Sequence, residues 1–412
     1  MIIAILSDLH LGLRQYSLKE RENDFYNQYN MAIDSILSKG VDVVIIAGDI
    51  FDQPRPSPVA LKTFSDGIRR LTNEGIFVCN IIGNHTMINA NDFTTADEFL
   101  VTVFHQYMLL DSKNIFIENG VGIFGLPYYY DHDIDKFIEE VGKLNQKAKS
   151  SKTKTNILVL HQAFSEYCGF SGAELSIKDI DISNFDLIIC GHIHERKLIE
   201  INDSTVFLQP GSLERLSIAE AKDEENHGKG IYFIDTDKLD LYSIANGFYR
   251  LDNPRKFLIA DFYINNDDDI NDMKGDILEG VNEYSVPPLL FLTVHDKTNS
   301  YHKIMDMTSE FKNIFLTVRF NYFDESENVN DIVIDKNDVP TPREALKLAL
   351  NPLDKEQATL GLEVYDILVK GEDPSDLLED YRKKAYQEFF AETHDYYTDE
   401  EIDEILDWLE EK

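Results

Sequence analysis

The chain has 412 residues, 43% of them hydrophobic and 28% charged, with a formal net charge of −36. That length exceeds one hydrophobic core and calls for two or three domains, while the longest apolar runs fall far short of the ~20 residues that cross a bilayer. So acidic a chain lacks the basic stripe of a protein that grips nucleic acid by bulk charge; part of the acidity is local, over Gly371–Lys412, and a carboxylate-rich metal site would itself bring positive charge to a phosphate.

The N-terminus, MIIAILSD, has no basic lead-in and reads as a strand, Ile2–Leu6, rather than a signal peptide. It delivers Asp8 and His10, two apart and therefore on one side of an extended stretch. Arg21–Lys39 repeats Phe25, Tyr29, Ile33 and Ile36 at helical spacing, and Gly40 closes it. Val43–Asp52, VVIIAGDIFD, is a buried strand that stops at Gly48, where the backbone can turn and leave Asp49 at the strand's carboxyl end. A helix over Val59–Asn73 and a strand over Ile76–Ile82 follow, the strand running into Gly83, Asn84 and His85. Thr95–Tyr107 is a further helix. Val121–Leu126 is a strand before the aromatic patch Tyr128–Tyr130, and Gly142–Thr155 is a Lys/Ser-rich linker or helix end.

The strand Ile157–Leu160 then ends at His161, and Leu187–Cys190 ends at Gly191, His192, Ile193 and His194. Val206–Leu208 leads into QPGSLER, Gln209–Arg215, and Gly230–Ile234 with Leu239–Ile244 reads as a hairpin completing the sheet. After Asn253 and Pro254 the character changes. Strands at Phe257–Ile264, Leu289–Val294 and Ile314–Phe320 alternate with helices at Asp269–Asn282 and His302–Phe311, a small α+β module without ligand-like residues. The expected domains are therefore 1–252, a catalytic domain; 253–325, the small module; 326–342, an acidic linker; and 343–412, short amphipathic helices that dock on a partner or fold back on this chain. Cys79, Cys168 and Cys190 make no CxxC pair and no disulfide framework, which favours a reducing, intracellular setting.

Asp8, His10, Asp49, Asn84, His161, His192 and His194 share one position, immediately after separate apolar strands in a region of alternating helices. Strand carboxyl ends lie along one edge of such a sheet, so the group can converge. Seven oxygen and nitrogen donors are too many for one ion and suit two, bridged by a carboxylate and a water that attacks phosphorus in line as hydroxide. His, Asp and Asn without thiolate fit Mn, Fe or Zn better than Mg or Ca. The chemistry is phosphoester hydrolysis.

In order, D-x-H (Asp8, His10), GDIFD (Gly48–Asp52), GNH (Gly83–His85), His161 and GHIH (Gly191–His194) resemble the motifs of calcineurin-like metallophosphoesterases. IAGDIFDQPRPSP and QPGSLER resemble more specifically the Mre-eleven (SbcD-type) DNA-break-repair nucleases, strongly over about residues 1–250 and weakly beyond. The resemblance implies a β-sandwich with flanking helices, a capping domain at 253–325 and a helical segment that grips a Rad-fifty (SbcC-type) coiled-coil ATPase. It implies two Mn ions, one held by Asp8, His10, Asp49 and His194, the other by Asp49, Asn84, His161 and His192. By the same resemblance His85 protonates the leaving oxygen and Asp52 holds the His85 tautomer. The implied activity is 3′-to-5′ exonuclease on duplex DNA ends and endonuclease on single strands or hairpins, in the prokaryotic cytosol or nucleoid, with no membrane association. A homodimer is implied too, its interface placed on an exposed apolar patch of Leu61, Phe64, Phe99 and Leu100.

One departure stands out. The family usually reads GNHD, and here Thr86 takes the place of that Asp. Two alternatives therefore stay open: a small-molecule phosphodiesterase, against which the extra module and helical tail argue, and a weakly cutting metal-binding scaffold of the complex.

Overall fold

The computed structural model describes residues 1–87, 95–168, 175–222, 228–252, 255–325 and 359–365. The linker expected at 326–342 and most of the helical segment at 343–412 lie outside the described residues.

The chain opens as β1 (Ile2–Leu6), α1 (Lys19–Leu37), β2 (Val43–Ile46), α2 (Pro58–Asn73), β3 (Phe77–Asn80), α3 (Ala96–Val103) and β4 (Tyr107–Leu109). Ser57 caps α2 by accepting from the Ala60 amide at 3.1 Å, ahead of Pro58 in the first turn, where a missing N–H costs nothing. Thr95 and Glu98 form a reciprocal capping box on α3. β1 through β4 pair in parallel, and the sheet is completed by β11 (Gly230–Asp235), antiparallel to β1, and β12 (Phe248–Arg250), in the order β12-β11-β1-β2-β3-β4.

A second six-stranded sheet contains β5 (Phe116–Glu118), β6 (Val121–Gly125), β7 (Thr155–His161), β8 (Leu187–Gly191), β9 (Lys197–Asn202) and β10 (Thr205–Gln209), ordered β5-β6-β7-β8-β10-β9. β6, β7, β8 and β10 run parallel. Alternation does the layering. Ile3, Ile5, Val43 and Ile45 meet Ile157, Val159, Leu187 and Ile189 between the sheets. The other faces carry Ala4, Leu6, Val44 and Ile46 against α1 and α2, and Leu158, Leu160 and Ile188 against α4 (Ile134–Ser150). Strands buried on both faces explain why the sequence shows near-continuous apolar runs.

Several expectations are corrected. The segment read as a linker at Gly142–Thr155 lies mostly in α4, whose buried Phe137, Val141, Leu144 and Ala148 recur at helical spacing among the lysines. Leu239–Ile244 is no strand: Asp240 caps the short helix α6 (Leu241–Asn246) by accepting from Ser243, and the partner of β11 is β12. The helix expected to reach Tyr107 stops at Val103, and Tyr107 opens β4. In the patch proposed for dimerisation, Phe64 and Leu100 are core residues at 0% exposure and Leu61 packs partly against the same core. Ala60, Phe64, Gly67, Ile68 and Leu71 form the inward stripe of α2, which fixes Phe64 inside. Phe99 is 50% exposed, and Val101 and Val103 on the same helix are exposed too.

β13 (Phe257–Ile264), α7 (Asp267–Leu278), β14 (Leu289–Asp296), α8 (Tyr301–Phe311) and β15 (Thr317–Asp324) build a third sheet of order β13-β14-β15. All its strands are parallel and joined by helical crossovers, so it is a βαβαβ unit rather than a segregated α+β one. It meets the sandwich through buried charge. Arg255 donates to both Asp24 carboxylate oxygens and to the Pro287 carbonyl, and Arg21, fully buried, donates to Asp24 and Glu214. Removing one partner from such a network would strand a charge out of water, at a cost of about 3–5 kcal/mol. Phe257, Leu289 and Phe291 supply the apolar contact, with Tyr16 and Ala221 packed on them.

Candidate metal centre

The parallel registers place Leu6 beside Ile46, Ile46 beside Asn80, and His161 beside Gly191. The chain segments leaving these strands therefore emerge at one end of both sheets, and Asp8, His10, Asp49, Asn84, His161, His192 and His194 meet there. β1 and β2 continue side by side past their formal ends: the amides of Leu9 and His10 donate to the Asp49 carbonyl at 2.9 and 3.0 Å, and that of Leu11 to Ile50 at 2.9 Å. Along this extension Asp8, His10 and Asp49 adopt φ of 52, 44 and 47°, and His192 adopts 85°. Left-handed backbone costs an L-residue about 1–2 kcal/mol, and it persists here because the surrounding hydrogen bonds leave no alternative.

Two glycines make room. Gly48 has φ +92°, and a Cβ on it would collide with the His161 ring; a Cβ on Gly191 would collide with the Ala47 carbonyl and the Ser7 hydroxyl. The GD and GH pairs of the sequence are thus places where the two sheets touch.

The donors fall into adjoining groups. In the first, His161 Nε2 lies 3.1 Å from Asp49 Oδ2 and 3.1 Å from Asn84 Oδ1, and His192 Nδ1 lies 2.9 Å from Asn84 Oδ1. In the second, His10 Nε2 lies 3.2 Å from His194 Nε2, and His194 Nε2 lies 4.0 Å from Asp8 Oδ1. Asp49 Oδ2 is also 4.0 Å from His10 Nε2, so one carboxylate reaches both groups. Its other oxygen accepts the His85 amide at 3.0 Å. Asp8 is held by the Ser7 hydroxyl and by the His192 amide, which donates to Oδ1 at 3.1 Å.

His85 stands at the rim, 38% exposed, its ring edge-on to His10 at 4.6 Å. The partner of its Nδ1 differs from the expectation. Nδ1 donates to the main-chain carbonyl of Asp52 at 3.0 Å, while the Asp52 carboxylate lies 3.8 Å away and closer, at 3.5 Å, to His10 Nδ1. Thr86 is fully buried near the Asp97 carboxyl, whose pKa burial pushes up to about 6 and a hydrogen bond from Asn80 partly relieves.

The donor set fits a divalent cation. His161 Nδ1 faces the Ala47 carbonyl at 2.7 Å and must donate to it. A neutral ring then points a lone pair from Nε2 at two further acceptors, the Asp49 and Asn84 oxygens. Acceptors converge this way only around positive charge. Without a metal, a proton answers the same field. Burial works against a charged His161, but the Asp49 charge and hydrogen bond outweigh it and raise its pKa to about 9. Burial likewise opposes an ionised Asp49, and the charges of His161, His10 and His85 hold it far below the usual carboxylate range. His192 is pushed down to about 4 by burial and by the neighbouring His161.

Sequence reasoning missed the residues behind this layer. Glu220, on the short helix α5 (Ile218–Lys222), places Oε1 3.6 Å from His194 Nδ1, and Lys229 pairs with Glu220 from the start of β11. Neither sits in a motif or at a fixed spacing from a ligand. Ser7, adjacent to Asp8, was the one such residue within reach of a motif reading.

A two-sheet sandwich whose strand ends deliver these donors defines a metal-dependent phosphoesterase. Residues 1–196 match the family model of the calcineurin-like phosphoesterases. The DNA double-strand break repair protein Mre11 of Methanococcus maripaludis is 31% identical over 326 residues, 78% of this chain and 84% of that protein. Its counterpart in Methanocaldococcus jannaschii is 32% identical over 243 residues, 58% of this chain and 64% of the relative, and that of Saccharolobus solfataricus 28% identical over 291 residues, 70% and 74%. The chain belongs to the Mre11 family of calcineurin-like metallophosphoesterases. It is a metal-dependent phosphodiesterase, and no helix among its described residues is long and apolar enough to cross a membrane.

Proposed function

We propose that this chain is the manganese-dependent nuclease of a DNA double-strand break repair complex, acting 3′-to-5′ on duplex ends and endonucleolytically on single strands and hairpins. The observation that carries the reading is one carboxylate, Asp49, reaching two adjoining donor groups at the meeting of both sheets. Asp8, His10, Asp49 and His194 would hold one ion, and Asp49, Asn84, His161 and His192 the other, with Fe or Zn as possible substitutes. Bound there, the ions supply charge to the phosphoryl group and acidify a water for attack near neutral pH.

The chain's own residues do the rest. His85 Nδ1–H is committed to the Asp52 carbonyl, so Nε2 is the atom that hands a proton to the leaving oxygen, from the imidazolium form. The Asp52 carboxylate stands between the two rings, 3.8 Å from His85 Nδ1 and 3.5 Å from His10 Nδ1. Asn84 presents an oxygen without charge. The buried Thr86 faces Asp97 beneath the turn, so an Asp at that position would set two buried carboxyls together.

The module over Phe257–Asp324 would act as the cap that selects DNA, and residues 343–412 would dock on a coiled-coil Rad50-type ATPase whose own DNA binding offsets the acidity of this chain. A homodimer would form through the exposed Phe99, Val101 and Val103 of α3. Phe99→Asp is expected to yield a monomer by light scattering with unchanged manganese binding.

The deciding experiment is manganese titration of wild type and His85→Ser on end-labelled duplex and hairpin DNA, with bis-p-nitrophenyl phosphate alongside. The expected variant binds manganese within about twofold of wild type and cuts roughly 10²–10⁴-fold more slowly. Normal cutting by the variant would overturn the role of His85; turnover of the small diester without any DNA cleavage would overturn the substrate.

A further inference from the structure

His161 and His194 belong to different groups of the donor cluster, and each needs its outward ring nitrogen fixed. For His161 the Ala47 carbonyl does this at 2.7 Å. Among the described residues, no main-chain carbonyl bonds His194 Nδ1. What stands there is the Glu220 carboxylate, Oε1 at 3.6 Å.

Glu220 is itself tightly built in. Its side chain is 6% exposed, and that of Lys229, its ion-pair partner, 7%. Ser217 Oγ donates to Oε1 at 3.0 Å, and Ser212 Oγ lies 3.4 Å from Oε2. Lys229 Nζ also donates to the His194 carbonyl at 2.9 Å and to Ser212 Oγ at 2.7 Å, so the pair clamps both the ring and the backbone of His194. The next residue, Ala221, packs on Phe257, Leu289 and Phe291 of the third sheet.

We infer that Glu220 is a positioning residue for His194: its carboxylate accepts the Nδ1 proton and leaves Nε2 as the lone pair turned on the cluster. The inference rests on His194 being a metal ligand, as proposed above. A carboxylate behind a ligating imidazole fixes the tautomer, aims the ring and raises its basicity, and losing it costs about 10–100-fold in metal affinity. The bland alternative is that Glu220 only neutralises Lys229.

The test uses the full chain, wild type and four variants: Glu220→Ala, Glu220→Gln, the double Glu220→Leu with Lys229→Met, and His194→Ala. Manganese binding is read by titration calorimetry, and the tautomer of His194 in the metal-free chain by ¹⁵N-edited imidazole NMR, with His194→Ala giving the assignment. Glu220→Ala is expected to weaken one manganese site about 10–100-fold and to let the His194 proton distribute between the two nitrogens. Glu220→Gln, which keeps an acceptor oxygen, recovers most of the affinity. The double variant, relieved of the unpaired Lys229, folds but stays weak. Wild-type affinity in the double variant would mean that Glu220 serves Lys229 alone and would overturn the inference, as would an unchanged Glu220→Ala beside a deficient His194→Ala. If His194→Ala keeps both manganese sites, the ligand assignment has failed instead, and the tautomer measurement alone judges Glu220.

Discussion

The two halves of the candidate metal centre are built by different means. The half containing Asp49, Asn84, His161 and His192 is framed by main chain: His161 is fully buried and tethered to the Ala47 carbonyl, and Gly48 and Gly191 let the sheets close on it. The half containing Asp8, His10 and His194 depends more on side chains, although the His192 amide also holds Asp8. Ser7 holds Asp8, Glu220 backs His194, Lys229 balances Glu220, and the His194 ring is 26% exposed. A half framed by backbone is as rigid as the sheets themselves. A half framed by side chains can be adjusted without disturbing a strand, and it lies against the helix on which the third sheet rests.

The strongest way to break this contrast is at the residue common to both halves. Asp49→Asn is expected to abolish tight manganese binding at both groups and to slow DNA cleavage by at least about 10³-fold, since the metals carry several kcal/mol of the barrier reduction. Retention of one ion at wild-type affinity would show that the halves do not share Asp49. A lesser effect is expected from Gly48→Ala, which drives a methyl into His161 at a left-handed position. Overpacking together with the φ penalty should cost about 2–4 kcal/mol in denaturant unfolding, and an unchanged midpoint would contradict the rigidity assigned to that half.

The smallest effect sharpens the comparison through protons. In the metal-free chain His161, raised to about 9, is protonated at neutral pH, whereas His192, lowered to about 4, is not. A cation must displace the His161 proton, so affinity should rise about tenfold per pH unit toward pH 9 from this group. Calorimetry at pH 7 in buffers of different ionisation heat should read about one proton released from the first half. The same raised pKa means that His161 stabilises the metal-free fold fully below its unfolded value and loses that contribution as pH passes 9.

Much of this was legible in the chain. Apolar β-branched runs ending in Asp, Asn or His marked the strands and their useful ends, because a parallel sheet needs its strands apolar on both faces and puts function at their carboxyl edge. Where the reading failed, local pattern was outvoted. Leu239–Ile244 has strand-like composition, but the Asp240 cap turns it into helix. The Lys-rich stretch after Gly142 hides an apolar stripe that only its packing against the second sheet reveals. Phe64 and Leu100 look like surface hydrophobics until α2 and α3 are laid on the first sheet.

The sequence by itself determined the strands that end in candidate ligands and the order of those residues along them, since these follow from periodicity and from what a side chain can ligate. Only the tertiary structure decided how the ends of two separate sheets come together, which oxygen of Asp49 faces which imidazole, and that Glu220, remote in sequence from every ligand motif, stands behind His194. Those are distances between segments far apart in the chain, and no local spacing encodes them.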